Sequence, residues 1–270
     1  HYGDSQLEGD RISDYFRNKL QKVYGGQGPG IVLPNEPAAT SRQSVFVSHS
    51  KNMRKHAFYI NGSTRTDGKY GIGGSSFTFD GNYSSFLKWT YDEAKKSIQP
   101  AFSSKKQEQS YLIFRNGSKS YLSVRKYARI TLLYENDEVS QLQLTCDNSV
   151  NNYNLKPSDG LGVQQWDLKT DKELRLDFTN GKFPLIYGVA LDGTSGVAVD
   201  NFPMRGSSAI GFNKMSQGLY RKQLEALNVR AIILQYGINV IPTVRSNYGY
   251  YRTLFTKQLQ SIKAANPGVR

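Results

Sequence analysis

Ser5 stands behind Gly3 and Asp4, just before a stretch whose apolar residues recur at helical spacing. A serine at a strand-to-helix junction holds its hydroxyl at the carboxyl edge of a sheet. Helix amides point there toward developing negative charge, so the position suits nucleophilic attack. It equally suits a helix N-cap. Asn239 follows Gly237 at the end of the apolar run Ala231 to Tyr236. Its amide can donate a hydrogen bond to an oxyanion, or simply occupy a turn. Gly206 sits in Arg205-Gly206-Ser207-Ser208, after Asp200-Asn201. A glycine lets its backbone N–H approach a substrate oxygen with no side chain between; by itself it is one more loop glycine.

The elements that must position these residues fall into two textures. Residues 6–24 read as a helix, with Leu7, Ile12, Tyr15, Phe16, Leu20 and Val23 on its buried face and Gly25-Gly26 as its stop. Residues 217–227 predict a second helix, buried through Leu219, Leu224 and Leu227, and Tyr251 to Ala265 a third. Ala231 to Tyr236 predicts a strand covered on both faces, the pattern of a parallel sheet. Between residues 42 and 190 the chain instead shows short apolar or alternating runs: 44–48, 57–60, 75–79, 110–114, 121–124, 128–134, 138–144, 172–177 and 183–190. Turn pairs such as Asn61-Gly62 and Asn116-Gly117 separate them, which predicts a β-sandwich of short strands. Arg129 to Tyr134 and Val139 to Leu144 read as a hairpin joined near Asn136-Asp137. The fold class is therefore α/β at both ends and all-β in the middle. His1-Tyr2 is short for a core strand and Asn266-Pro267-Gly268 is a turn, so further strands are expected from outside residues 1–270 or from another chain.

Composition narrows the partners. The formal charge of +13 admits nucleic acid, an acidic glycan or an anionic surface, but the basic residues are scattered and no nucleic-acid recognition motif accompanies them. A solvated basic surface is the plainer reading, and nucleic acid ranks last. Cys146 is the sole cysteine, which excludes an intrachain disulfide and a cysteine metal cluster. No phosphate loop, EF-hand or His-Glu-x-x-His occurs, so no metal or cofactor is expected. No apolar run is long enough for a membrane span.

Taken together, Gly3-Asp4-Ser5, Gly206 and Gly237-Ile238-Asn239 resemble the blocks of the SGNH, or GDSL-type, hydrolases. The likeness is nearest to a bacterial group that includes peptidoglycan O-acetylesterases with an inserted β-sandwich. The resemblance implies a flavodoxin-like three-layer α/β sandwich from residues 1–34 and 188–270, and an inserted jelly-roll-like domain over 35–187. It implies Ser5 as nucleophile, the Ser5 and Gly206 amides with Asn239 as oxyanion donors, and Asp4 and Gly237 as supporting residues. The substrate would be an acylated bacterial cell-wall or other polysaccharide, with acetyl the expected acyl group, and the location the bacterial periplasm, cell surface or exterior. Exposed aromatics of the insert, Trp89 and Trp166 among them, are candidates for sugar contact. The family's Asp-x-x-His block, which carries the general base, is not found. His1, His49 and His56 are the only histidines, and the last two lie in the insert. The base is therefore expected from a segment beyond Arg270 or from a second chain. The alternative is a non-catalytic glycan-binding or structural protein on the same fold.

Overall fold

The computed structural model describes residues 1–36, 42–80, 85–92, 97–104, 110–170, 172–180, 182–241 and 247–268. In chain order the elements begin with β1 (Tyr2–Gly3), α1 (Arg11–Tyr24), β2 (Gly30–Val32), β3 (Val45–His49), β4 (Met53–Ala57) and β5 (Ser75–Phe79). They continue with β6 (Ser85–Asp92), β7 (Ser97–Ser104), β8 (Ser110–Asn116), β9 (Tyr127–Glu135), β10 (Ser140–Cys146) and β11 (Ser149–Leu155). The last are β12 (Gly162–Thr170), β13 (Glu173–Asn180), β14 (Leu185–Asp192), β15 (Phe202–Pro203), α2 (Gln217–Ala226), β16 (Leu234–Gln235) and α3 (Gly249–Ala265). Among the described residues this is an α/β fold with parallel and antiparallel sheets and three α-helices.

A three-stranded parallel sheet, in the order β15-β1-β16, joins the two ends of the chain. Tyr2 anchors it. The ring is 2% exposed and packs on Phe202 and edge-on to Phe212, while its hydroxyl donates to Ile72 O at 2.8 Å. Tyr220 of α2 lies on the same side, hydroxyl to hydroxyl at 3.2 Å. The buried Gln258 of α3 accepts from Gly211 N and Asn213 N, and Arg221 of α2 donates to Ala264 O and Ala265 O. Side chains alternate across a strand, so His1 points the other way, toward Ser13 of α1.

The middle of the chain builds two antiparallel sheets, β11-β10-β13-β8-β3 and β12-β9-β14-β5-β4, with β2 added on β14 and a separate β6-β7 ribbon. Leu142, Leu144, Leu174, Leu176, Ile130, Leu132 and Trp166 belong to one continuous core. The expected hairpin of residues 129–144 does not form. β9 pairs with β12 and β14, and β10 with β11 and β13, in the other sheet. Asn136 explains the change of sheet. It is buried, its carbonyl accepts from Ser158 N, and its amide donates to Ser140 Oγ, so it spans a crossing rather than a tight turn. The hairpin that does form is β10–β11, turning through Asp147 at φ 51°. β11 was not expected, because its edge position exposes both faces and erases the alternation. Residues 57–60 and 121–124, expected as strands, lie largely in turns. β14 runs on to Asp192 and β2 pairs with it, so the second sheet extends past residue 187 and draws in residues 30–32.

The expectation for α1 is inverted. Gly9 and Asp10, with Asp10 at φ 58°, split the expected helix into a 3-10 turn at Ser5–Leu7 and α1 proper. α1 then buries Ser13, Asp14, Arg17, Asn18 and Gln21. Ile12 (42%), Phe16 (47%), Tyr15 (52%) and Val23 (72%) face outward. Periodicity shows that a helix has two faces; it does not say which face the core takes. Here an ion network takes the polar one. Arg17 is fully buried and donates to Asp10, Asp14 and Val199 O, and Arg42 approaches Asp10 as well. Burial pushes the Asp10 carboxyl up, and Arg17 and Arg42 more than offset this, holding it below the usual carboxylate range. The run 231–236 differs in the same sense: among the described residues only Leu234 and Gln235 pair, with a neighbour on one side alone, and Ile233 is 47% exposed. Removing one member of a buried ion pair typically costs about 3–5 kcal/mol because the other charge is stranded. Arg17→Met should therefore lower the urea-unfolding free energy by roughly 3 kcal/mol or more; a loss below about 1 kcal/mol would show the network to be dispensable.

Candidate active site

Register sets the geometry. Gly3 lies between Pro203 and Gln235 in parallel strands, so the segments after them leave the sheet at the same edge. Neighbouring strands lie about 4.8 Å apart. Ser5 follows the central strand, Gly206 one flanking strand and Asn239 the other. Backbone bonds tie the exits together: Asp4 N donates to Gln235 O at 3.3 Å and Met204 N to Gly3 O at 2.7 Å. Asn239 Nδ2 donates to Ser207 O at 2.9 Å, joining the third exit to the second.

Each residue holds its place for a local reason. Asp4, and not Ser5, caps the 3-10 turn, with Oδ1 accepting from Gln6 N at 3.0 Å. Asp4 Oδ2 is buried without a partner. Ser5 is exposed, and its hydroxyl has no hydrogen bond among the described residues. Asn239 commits one amide hydrogen to Ser207 O and keeps a second. Gly206 adopts φ +74° in open space, so backbone conformation, not crowding, calls for glycine there. Gly3 is the converse: a Cβ would lie 2.7 Å from Leu7 Cδ1 and 2.8 Å from Gln235 O. Gly237, at φ +139°, also stands in open space.

The histidines are engaged elsewhere. His1 Nδ1 meets Ser13 Oγ at 3.1 Å and Nε2 meets Gln235 Oε1 at 3.0 Å, so both ring nitrogens are taken. His49 bonds Ser50 O and His56 bonds Thr78 Oγ1, both in the antiparallel sheets. No described histidine bonds Ser5, and no described cluster of His, Cys, Asp and Glu could hold a metal. Among the aromatics, Trp166 is buried at 6% exposure against Tyr153 and offers no sugar platform. The Trp89 side chain lies outside the described residues.

Three contacts beside these residues had no signal in the sequence. Arg205 and Glu8 form a two-pronged ion pair between the Gly206 loop and the turn after Ser5. Tyr251 of α3 donates to Ser208 O at 3.0 Å, and Tyr236 approaches Met204 Sδ at 3.2 Å. These contacts join residues about 30 to 200 apart in sequence, which no local pattern announces. They brace the Gly206 loop from both sides.

No protein-family model and no curated protein matches the chain. Solved structures do. The chain shares its fold with a peptidoglycan O-acetylesterase. The TM-score is 0.62 at 17% identity, over 99% of this chain and 63% of the esterase, so the chain spans less than two thirds of that protein. A family two carbohydrate esterase from Cellvibrio japonicus aligns at a TM-score of 0.20 and 8% identity, over 84% of this chain and 77% of the other, too loosely to support an argument.

The two glycines should respond differently to one methyl group. Gly206→Ala has room and meets only the left-handed penalty of about 1–2 kcal/mol. Gly3→Ala must displace the backbone of β16 and should destabilise by more than that, enough to be read as the larger drop in melting temperature. Equal drops would contradict the packing described.

Proposed function

We propose that this chain is the nucleophile-bearing part of a serine esterase of the SGNH type, removing acyl groups, chiefly acetyl, from a bacterial cell-wall or other polysaccharide. The observation that carries this reading is the common sheet edge of Ser5, Gly206 and Asn239. The shared fold with an O-acetylesterase supports it, and fold alone would not suffice. In this reading the two ends of the chain form a flavodoxin-like hydrolase layer and the middle an inserted jelly-roll-like module, whose second sheet takes in residues 30–32 and 188–192 as well as the expected 35–187. The protein acts in the periplasm, at the cell surface or outside the cell, on an acylated glycan and without a cofactor. No described helix is long and apolar enough to cross a membrane.

The residues would act as follows. Ser5 Oγ attacks the ester carbonyl as its proton passes to a base, and the carbonyl oxygen becomes an oxyanion. The Ser5 and Gly206 amides and the Asn239 side chain stabilise that charge. Collapse breaks the C–O bond to the sugar, whose oxygen takes the proton back from the base. Water then attacks the acyl-enzyme by the same route and releases the acid. Asp4 and Gly237 shape the two turns that present Ser5 and Asn239.

The base belongs, in this account, to an Asp-x-x-His segment outside residues 1–270, carried by a longer polypeptide or a second chain. The surface suits such a guest. Among the described residues β16 pairs only with β1, and α1 presents Ile12, Tyr15 and Phe16 on an outward face. Covering each of these side chains would return roughly 1 kcal/mol or more. The engagement of His1, and the lack of any described histidine bonded to Ser5, favour a second reading: a glycan-binding protein without turnover.

In the protein that carries the base segment, Ser5→Ala should abolish p-nitrophenyl acetate hydrolysis. Asn239→Ala should cut turnover roughly a hundredfold, for a loss of about 3 kcal/mol in transition-state stabilisation, while circular dichroism stays unchanged. Undiminished hydrolysis in Ser5→Ala removes Ser5 from the site, and undiminished turnover in Asn239→Ala removes the amide. Glycan binding with no hydrolysis in the wild type selects the second reading.

A further inference from the structure

A cavity of about 220 Å³ lies away from the Ser5 edge, lined by Gln27, Arg129, Thr131, Gln165, Asp192 and Asn228. Three adjacent strands, β12, β9 and β14, form its floor. Two rungs of the sheet supply the polar groups. Arg129 stands opposite Asp167 on one side and Asp192 on the other, and Thr131 stands opposite Gln165. The opposite face of the same strands, with Ile130, Leu132 and Trp166, is core. The wall is the Gly193–Ala198 loop, pinned where Gly193 N donates to Gln27 O at 3.1 Å. The roof is the end of α2, through Leu227 and Asn228.

The charges in this cavity cancel before any ligand arrives. Arg129 is held by Asp167 through Nε at 2.7 Å and Nη2 at 3.1 Å, so its charge is matched while three of its five N–H groups remain to donate. Burial, with the nearby Asp200, pushes the Asp192 carboxyl up to about 8, so it is largely protonated at neutral pH and does not demand a cation. Asp192 Oδ1 is buried with no hydrogen-bond partner, a costly state for a polar atom. Gln165 donates to Thr131 Oγ1 at 3.3 Å, which leaves its carbonyl to accept. A mixed set of donors and acceptors without free charge suits neither an ion nor an apolar ligand. The volume is below the 300 Å³ or so at which drug-sized sites begin.

We propose that this cavity is a saccharide subsite, taking one uncharged pyranose ring through its hydroxyls. The proposal is independent of the Ser5 reading and leaves the buried Trp166 out of sugar contact. Saturation-transfer NMR on the whole chain, with xylotriose, chitotriose and anionic trigalacturonate as probes, tests it. Transfer is expected from at least one neutral trimer and not from trigalacturonate. Gln165→Ala alters an exposed side chain and Asp192→Ala removes the orphaned carboxyl; each should weaken the neutral probe about tenfold, or roughly 1.4 kcal/mol. Gln165 and Asp192 line this cavity and not the Ser5 edge, so loss of binding in their variants separates the subsite from that edge. A corresponding free monosaccharide that binds as tightly as its trimer identifies a sugar pocket, and a preference for the trimer identifies a chain subsite. No transfer from either neutral trimer, transfer from trigalacturonate alone, or undiminished binding in both cavity variants overturns the proposal.

Discussion

Two residues of backbone hold the account together. Tyr2 and Gly3 pair in parallel with strands that arrive about two hundred residues later, and all that converges near Ser5 does so because of that pairing. Its cost is a very long loop closure, but closure entropy grows only with the logarithm of loop length. Much of the loop is itself a folded pair of sheets that shortens the effective span. The return comes from Tyr2, fully packed against Phe202 and Phe212 with its hydroxyl bonded, and from Gly3, where no larger residue fits. A parallel sheet leaves all three chains at one edge, so a short pairing sets the turns after Gly3, Pro203 and Gln235 on the same side of the sheet.

The parts of this arrangement that were legible in sequence are those set by local chemistry. Gly3-Asp4-Ser5 and Gly237-Ile238-Asn239 mark turns after strands, and α2 and α3 follow their apolar spacing. So do β5, β8, β13 and β14, whose alternation or apolar runs match a buried face. Illegible parts depend on partners far away in the chain. The 129–144 segment reads as a hairpin because the turn residues fit one, yet buried Asn136 sends the two strands to different sheets. β11 is polar on both faces because it sits at an edge.

α1 shows the limit of periodicity most clearly. Its apolar stripe is real, but Arg17, bracketed by Asp10 and Asp14, fixes the polar stripe inward. A buried guanidinium with matched carboxylates is not by itself a large source of stability. Its effect here is orientation: it turns Ile12, Tyr15 and Phe16 to the outside. The same helix therefore packs its polar face beside the Ser5 turn and leaves its apolar face exposed.

The most direct measurement is a crystal structure of the protein, with its base-bearing segment, after reaction with a fluorophosphonate. The account predicts a covalent bond to Ser5 Oγ, with the phosphonyl oxygen about 3 Å from both Asn239 Nδ2 and Gly206 N. Modification elsewhere, or a Ser5 adduct whose oxygen faces away from Asn239, would contradict it.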